Sequence, residues 1–143
     1  MVGLAVAITF QWFGISSQAQ SGEKFTARLA PAPALGIRPA DVAGIGSASA
    51  TLTGRKLAIT GSFERMATPA TVARLLAGPI TGVRGNPISD LTLSKDASGT
   101  SGTMAGSLDL TAEQVDALKK GRLHIQIYSE GAKNGHLLGW LLK

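Results

Sequence analysis

Residues Thr111–Leu142, TAEQVDALKKGRLHIQIYSEGAKNGHLLGWLL, contain the local signals of a helix, a strand, a turn and a second strand. Thr111 and Gln114 have the spacing of a capping box, and Lys119 lies where the helix dipole favours a cation. Gly121 supplies the left-handed residue that commonly ends a helix. The sequence therefore predicts a short helix of about two or three turns.

The hydrophobic period then changes from helical to alternating. Across residues 123–128, leucine and isoleucine alternate with His, Gln and Tyr, which predicts a strand with one buried and one exposed face. Lys-Asn-Gly at residues 133–135 predicts a tight hairpin turn. Residues 136–142 then predict a closing strand, in which burial of Trp140 would contribute about 2–3 kcal/mol.

The rest of the chain also favours short strands. Residues 86–87 (Asn-Pro) and the proline-rich residues 30–40 predict loops, whereas residues 69–79 fit either a helical turn or a buried strand. Seven or eight short strands with frequent turns are typical of a sandwich or barrel. The other predicted strands cover residues 24–29, 47–53, 56–63, 88–93 and 103–110.

Composition excludes several classes of protein. The chain has no cysteine, which excludes a disulfide framework, a thiolate nucleophile and a cysteine zinc site. The net charge is +5, but the cations are dispersed and no aromatic residues are interleaved with them. This pattern does not predict binding to nucleic acid. It favours an anionic partner such as lipid headgroups or an acidic protein surface.

Residues 1–19 differ from the rest because they are uncharged and mostly apolar. Two interpretations are open: a membrane anchor, or a secretory signal whose cleavage site has Ser17 and Ala19 at its −3 and −1 positions. A helix of roughly 17 residues spans about 25 Å, slightly less than a hydrocarbon core of about 30 Å. Both interpretations predict a translocated domain at residues 20–143. The residues expected to form the membrane anchor are Leu4, Val6, Ile8, Phe10, Trp12 and Phe13.

Several segments resemble the CHRD domain, a module of bacterial secreted proteins. They are FTARLAPA at residues 25–32, GSASATLTGRKLAITGSF at 46–63, SGTMAGSLDLTAEQVDALKKGRLHIQIYS at 101–129 and NGHLLGWL at 134–141. The resemblance implies an all-β, Greek-key sandwich or barrel, similar in outline to copper-zinc superoxide dismutase, with one short helix besides the N-terminal hydrophobic helix. It also implies a strand at residues 71–76 and a binding role without an established catalytic activity.

The chain departs from the family pattern at specific positions. Ala73–Gly78 reads Ala-Arg-Leu-Leu-Ala-Gly, where the family commonly has Ala-His-Ile-His-x-Gly. Tyr128 stands where the family often has histidine, His136 where it has glutamate, and Leu138 where it has arginine. The resemblance therefore implies that a polar cluster suited to a metal is replaced here by a basic and mostly apolar one.

A catalytic site is not indicated by the remaining residues. His124 and His136 could share a metal with Glu130, but no cysteine or third histidine completes the ligand set. We therefore expect the two histidines to be ordinary surface residues. The sequence also has no nucleophile elbow and no paired carboxylates. We therefore expect neither an enzyme nor a bound cofactor or small-molecule substrate. A metal-dependent enzyme that uses His124 and His136 is kept as the third and least favoured of three functional hypotheses.

The first hypothesis is an extracytoplasmic accessory subunit of a membrane-bound complex, such as a respiratory or photosynthetic assembly. Its expected partners are other protein subunits and, through the N-terminus, the membrane. The second hypothesis is a freely secreted binding or matrix module. The residues expected to contact a partner are Arg38, Arg74, Arg84, Leu138 and Trp140.

Overall fold

The computed structural model describes residues 22–32 and 43–143, which form eight strands and one helix. The strands close into an antiparallel barrel in the order β1-β2-β3-β6-β5-β4-β7-β8. The prediction of an all-β fold with one short helix is confirmed for this part of the chain. The elements are β1 Glu23–Pro31, β2 Ile45–Thr53, β3 Lys56–Glu64, β4 Ala70–Ala77, β5 Asn86–Lys95, β6 Gly102–Asp109, α1 Ala112–Lys119, β7 Leu123–Ser129 and β8 Leu137–Trp140.

The alternating segments place their apolar side chains inside the barrel, as predicted. In β1, Phe25, Ala27 and Leu29 are buried while the intervening residues are exposed. Leu57 and Ile59 of β3 are buried in the same core. Full burial of each large aliphatic or aromatic side chain contributes about 1.5–3 kcal/mol. An eight-stranded barrel has an interior that side chains can fill, which agrees with a single continuous core.

The Greek-key character arises in the second half of the chain. Strands β4, β5 and β6 form consecutive antiparallel pairs, and β7 returns to lie beside β4. The return passes through α1, whose capping box is formed between Thr111 and Gln114. Gly121, with φ of 71°, follows the helix as predicted. Leu118 of α1 is fully buried, so the helix covers one end of the barrel core.

That covered end is called the proximal end, and the opposite one the distal end. Because neighbouring strands are antiparallel, the start of β1, the β2–β3 turn and the β4–β5 loop all lie at the proximal end. The C-terminal residues 141–143 lie there too, since β8 runs toward the start of β7. The distal end has the β5–β6 turn and the β7–β8 loop. No helix in the described ranges is long and apolar enough to cross a membrane, and the six expected anchor residues fall outside those ranges.

Three local predictions need correction. Asn86 and Pro87 begin β5 instead of forming a loop; Pro87 pairs with Leu76 beside a register shift, where a missing backbone N–H is tolerated. Gly135 has φ of 127°, but Asn134 does not have a positive φ, so residues 130–136 form a wider loop than the predicted turn. Strand β7 is buried on both faces, because loops from elsewhere cover its outer side.

The barrel closes at a short seam between β1 and β8. Ala30 pairs with Leu138 and Pro31 with Leu137, and an isolated bridge joins Thr26 to Leu142. A Cβ atom at Gly139 would collide with the backbone carbonyl oxygen of Arg28. Glycine is therefore required at position 139 for the two strands to approach this closely.

We predict that Gly139→Ala destabilises the fold by about 1–3 kcal/mol, because the backbone carbonyl that it meets cannot move without opening the seam. Gly106→Ala is the matched control, since its Cβ would meet only the end of the Leu91 side chain, at 2.6 Å. Urea unfolding of both variants measures the difference. Equal losses in the two variants would contradict the importance of the seam.

Candidate functional site

The outer sides of β4, β7 and β8 form one continuous surface, which we call the β4–β7–β8 face. Strand register places Leu76, His124 and Trp140 in one row across the three strands. Arg74, Gln126 and Leu138 form the next row, and Val72 and Tyr128 lie side by side beyond it. These residues point away from the core, because their neighbours in sequence, such as Leu75, Ile125 and Leu137, belong to it.

The face brings together residues that the sequence analysis selected separately. Arg74 and Leu138 lie in the same row, and Trp140 lies in the adjacent one. Arg84, from the β4–β5 loop, reaches the same surface and donates to the backbone oxygen of Asn134 at 3.1 Å. Leu138 is more buried than expected, with 7% of its surface exposed, whereas Trp140 is partly exposed. Arg38 lies outside the described residues.

Arg74 lies at the centre of the exposed part of the face. Its Nε donates to Asp90 Oδ1 at 2.8 Å, and its guanidinium lies 5.3 Å from the centre of the Tyr128 ring. The hydrogen bond to Asp90 raises the pKa of Arg74 above its ordinary value. The Arg74 side chain remains 38% exposed, so it is held in place yet can still reach a partner.

A chain of hydrogen bonds fixes the polar groups beside it. The Tyr128 hydroxyl donates to Gln126 Oε1 at 3.3 Å, and Gln126 Nε2 donates to the Asn134 carbonyl at 2.9 Å. That carbonyl also accepts from Arg84. A Cβ atom at Gly135 would collide with Gln126 Nε2, so this glycine allows the loop to pack on the face. Buried polar groups need such partners, and Gln126 is 2% exposed.

His124 is fully buried on this face, which corrects the expectation of a surface histidine. Its ring packs against that of Trp140 with a centroid distance of 5.3 Å and a tilt of 34° between the ring planes. Nε2 accepts from the backbone N–H of Gly85 at 3.4 Å, and Nδ1 lies 3.5 Å from the Arg122 carbonyl, which fits the Nδ1–H tautomer. Desolvation lowers the pKa of His124 from 6.5, and the charge of Arg84 lowers it further.

His136 is also fully buried, at the distal end of the barrel. Its Nε2 lies 2.7 Å from the Ala43 carbonyl, which can only accept, and its Nδ1 lies 2.7 Å from Ser129 Oγ. Ser129 Oγ already accepts from the Thr68 hydroxyl at 2.9 Å and from the Ala132 N–H at 3.1 Å, so it donates to His136. This arrangement assigns the Nε2–H tautomer and joins β7 to the segment before β2.

The structure does not bring His124, His136 and Glu130 together as metal ligands. His124 contacts Gly85 and Trp140, whereas His136 contacts Ala43 and Ser129. Ser129 lies five residues after His124 on β7, which is roughly 16 Å of extended strand. Within residues 22–32 and 43–143, no group of three His, Asp or Glu side chains is arranged to hold a metal ion.

An open groove of about 560 Å³ borders the exposed part of the face. Arg74 and Tyr128 line it, together with Glu130 and Lys133 of the β7–β8 loop. Thr71, Val72 and Ser129 complete its lining. The groove is a shallow surface depression with basic, acidic and aromatic groups, which suits contact with a protein chain.

The CHRD domain family model matches residues 25–141, nearly the whole described chain. The chain belongs to the CHRD domain family. Membership of this family indicates an extracellular-type binding module. No curated protein and no solved structure matches the chain.

The positions at which this CHRD chain is expected to depart from the family pattern lie mostly on one surface. Arg74, Leu76, Tyr128 and Leu138 all belong to the β4–β7–β8 face. Nothing in the sequence predicted that Gln126, His124 and Asn134 would connect them. Alternation alone indicated the outward direction of His124 and Gln126, but nothing local indicated that loops would bury them.

We predict that His124 makes stability depend on pH. Because its pKa in the folded protein is below 6.5, the unfolded chain binds the proton more readily. This stabilising contribution is complete above pH 6.5 and is lost as the pH falls toward the folded pKa. His124→Phe, which keeps an aromatic ring against Trp140, should flatten this part of the curve. Thermal unfolding across the acidic range measures it, and an unchanged slope would contradict the assignment.

Proposed function

We propose that this CHRD protein is a non-catalytic, extracytoplasmic accessory subunit of a membrane-bound complex, such as a respiratory or photosynthetic assembly. The apolar N-terminal segment anchors it, and the β4–β7–β8 face docks it on a neighbouring protein subunit. The single observation that supports docking is the cluster of Arg74, Tyr128 and Trp140, all partly exposed on one face. These three residue types are the ones most enriched at the energetic centres of protein interfaces.

The fixed geometry of the face also supports binding. Arg74 is held by Asp90 and by the Tyr128 ring, and Tyr128 is held by Gln126. Side chains that are already ordered lose little conformational entropy when a partner binds. The face is therefore prepared for a rigid partner surface with a carbonyl-rich or acidic character.

The burial of Ser129 and His136, which resemble a nucleophile and its base, supports a non-catalytic role. Ser129 and His136 lie within hydrogen-bond distance, as a nucleophile and its base would. Both side chains, however, are fully buried, and both nitrogens of His136 are occupied. A substrate has no access to Ser129 Oγ, so we assign the pair a structural role that joins β7 to the segment before β2.

We predict that Arg74→Glu weakens docking by about 2 kcal/mol or more, which is about 30-fold, because it reverses the central charge of the face. The measurement is recovery of the tagged full-length chain with detergent-solubilised membrane complexes of the native host. A photo-crosslinking residue at Tyr128 should give a defined adduct with one subunit, and Arg74→Glu should remove it.

Arg65→Glu is the matched control, because Arg65 also pairs with a neighbouring carboxylate, that of Glu64 at 3.4 Å, and lies in the loop after β3. Equal recovery of both variants would contradict docking through the β4–β7–β8 face. The intact mass of the native protein tests the anchor separately. A mass that lacks residues 1–19 would favour the freely secreted binding module instead.

A further inference from the structure

The net positive charge of the protein is concentrated at the proximal end. Among the described residues, seven lysine and arginine residues and four acidic residues lie there, which gives three of the five net charges. Arg84 is counted with the β4–β7–β8 face, because its guanidinium reaches Asn134. The cations are Lys24, Arg55, Lys56, Lys119, Lys120, Arg122 and Lys143, and the acids are Glu23, Asp109, Glu113 and Asp116.

The same end exposes aliphatic side chains. Ile80 and Val83 of the β4–β5 loop are 61% and 41% exposed, and Leu142 is 47% exposed. Ile45, at the distal end, is the only other large hydrophobic residue exposed in the described parts of the chain. Exposed aliphatic residues surrounded by cations are characteristic of surfaces that contact anionic membranes.

The loop that presents Ile80 and Val83 is fixed to the barrel at several points. The single proton of the Thr81 hydroxyl is shared between the carbonyls of Lys120 and Gly121, at 3.1 and 2.9 Å. The Gly78 N–H donates to the Arg122 carbonyl at 3.0 Å, and Arg122 Nη1 donates to the Pro79 carbonyl at 3.4 Å. The aliphatic tip is therefore held next to the cations that follow α1.

The N-terminal segment joins the barrel at this end as well. Glu23, the first residue of β1, pairs with Lys119 at 3.7 Å and with Lys143 at 3.1 Å. Three residues, 20–22, separate it from the uncharged apolar residues 1–19, and even fully extended they span only about 10 Å. An anchored segment would therefore keep the proximal end close to the bilayer surface.

We propose that the proximal end of the barrel docks on an anionic phospholipid surface. Ile80, Val83 and Leu142 enter the headgroup region, and Arg55 and Lys56 contact lipid phosphates. The cations after α1, Lys120 and Arg122, pair with Asp116 at 2.9 and 3.6 Å. The inference rests on the anchoring that the proposed function includes, and it adds a fixed orientation of the domain on the bilayer. An acidic protein surface is the competing occupant of this end.

The absence of cysteine allows one introduced thiol to report the position of the loop. Val83→Cys in the full chain takes an environment-sensitive fluorophore, and Ile45→Cys, a 50% exposed aliphatic site at the distal end, is the matched control. Each labelled chain is incorporated into vesicles of phosphatidylcholine with one third phosphatidylglycerol, and into vesicles of phosphatidylcholine alone. Matching thermal unfolding curves confirm that both labelled variants are folded.

Docking predicts a blue-shifted label at position 83 that lipid-borne quenchers reach in the anionic vesicles, while the label at position 45 remains in water. Arg55→Gln and Lys56→Gln should lower the ratio of docked to undocked protein about fivefold each, since each cation acts on the anionic surface. Neither residue forms an ion pair among the described residues, so neither change removes one, and thermal unfolding checks that both variants are folded.

A label at position 83 that stays in water on anionic vesicles overturns the proposal. This is the result expected if an acidic protein, and not lipid, occupies the proximal end. Equal signals on neutral and anionic vesicles overturn it too. If the chain floats with the vesicles but does not dock, anchoring remains valid and only the orientation fails; if it does not float, both fail. The vesicles contain no other protein, so the outcome is separate from that of Arg74→Glu.

Discussion

The short seam between β1 and β8 determines which surfaces this protein can present. It consists of two paired residues on each strand and one isolated bridge, and it depends on the absence of a side chain at Gly139. Closure leaves the sheet without a free edge, so uncontrolled strand addition is avoided. The same strand order places β8 beside β7 and β7 beside β4, which creates the β4–β7–β8 face from segments that are distant in sequence.

Strand β7 satisfies two different requirements at once. Its inner side chains, including Ile125 and Ile127, fill the core, while His124 and Gln126 on its outer side are buried under loops. Polar groups without water must find partners within the protein, and these two find them in Gly85, Asn134 and Tyr128. These hydrogen bonds hold the side chains on the outer surface of β7 in place, separately from the apolar packing on its inner side.

The two proposed surfaces can be used together, because they lie on different sides of the barrel. The proximal end is perpendicular to the strands, whereas the β4–β7–β8 face runs along them. A domain resting on a bilayer by its proximal end would therefore present Arg74, Tyr128 and Trp140 sideways, toward neighbouring subunits. The rigid β4–β5 loop links the two, since Thr81 is held at the proximal end and Gly85 contacts His124 on the face.

The sequence alone determined the elements whose causes are local. The capping box of α1, the glycine that follows it and the alternating strands β1 and β3 depend on residues within a few positions of one another. The tertiary structure alone decided what covers each surface. Both histidines are buried by contacts with other segments, and Pro87 pairs in a strand beside a register shift in the neighbouring strand. Several residues of the candidate face were expected from the sequence, but their adjacency could not be predicted, because a closed barrel with non-sequential strand order makes neighbours of residues that no local pattern connects.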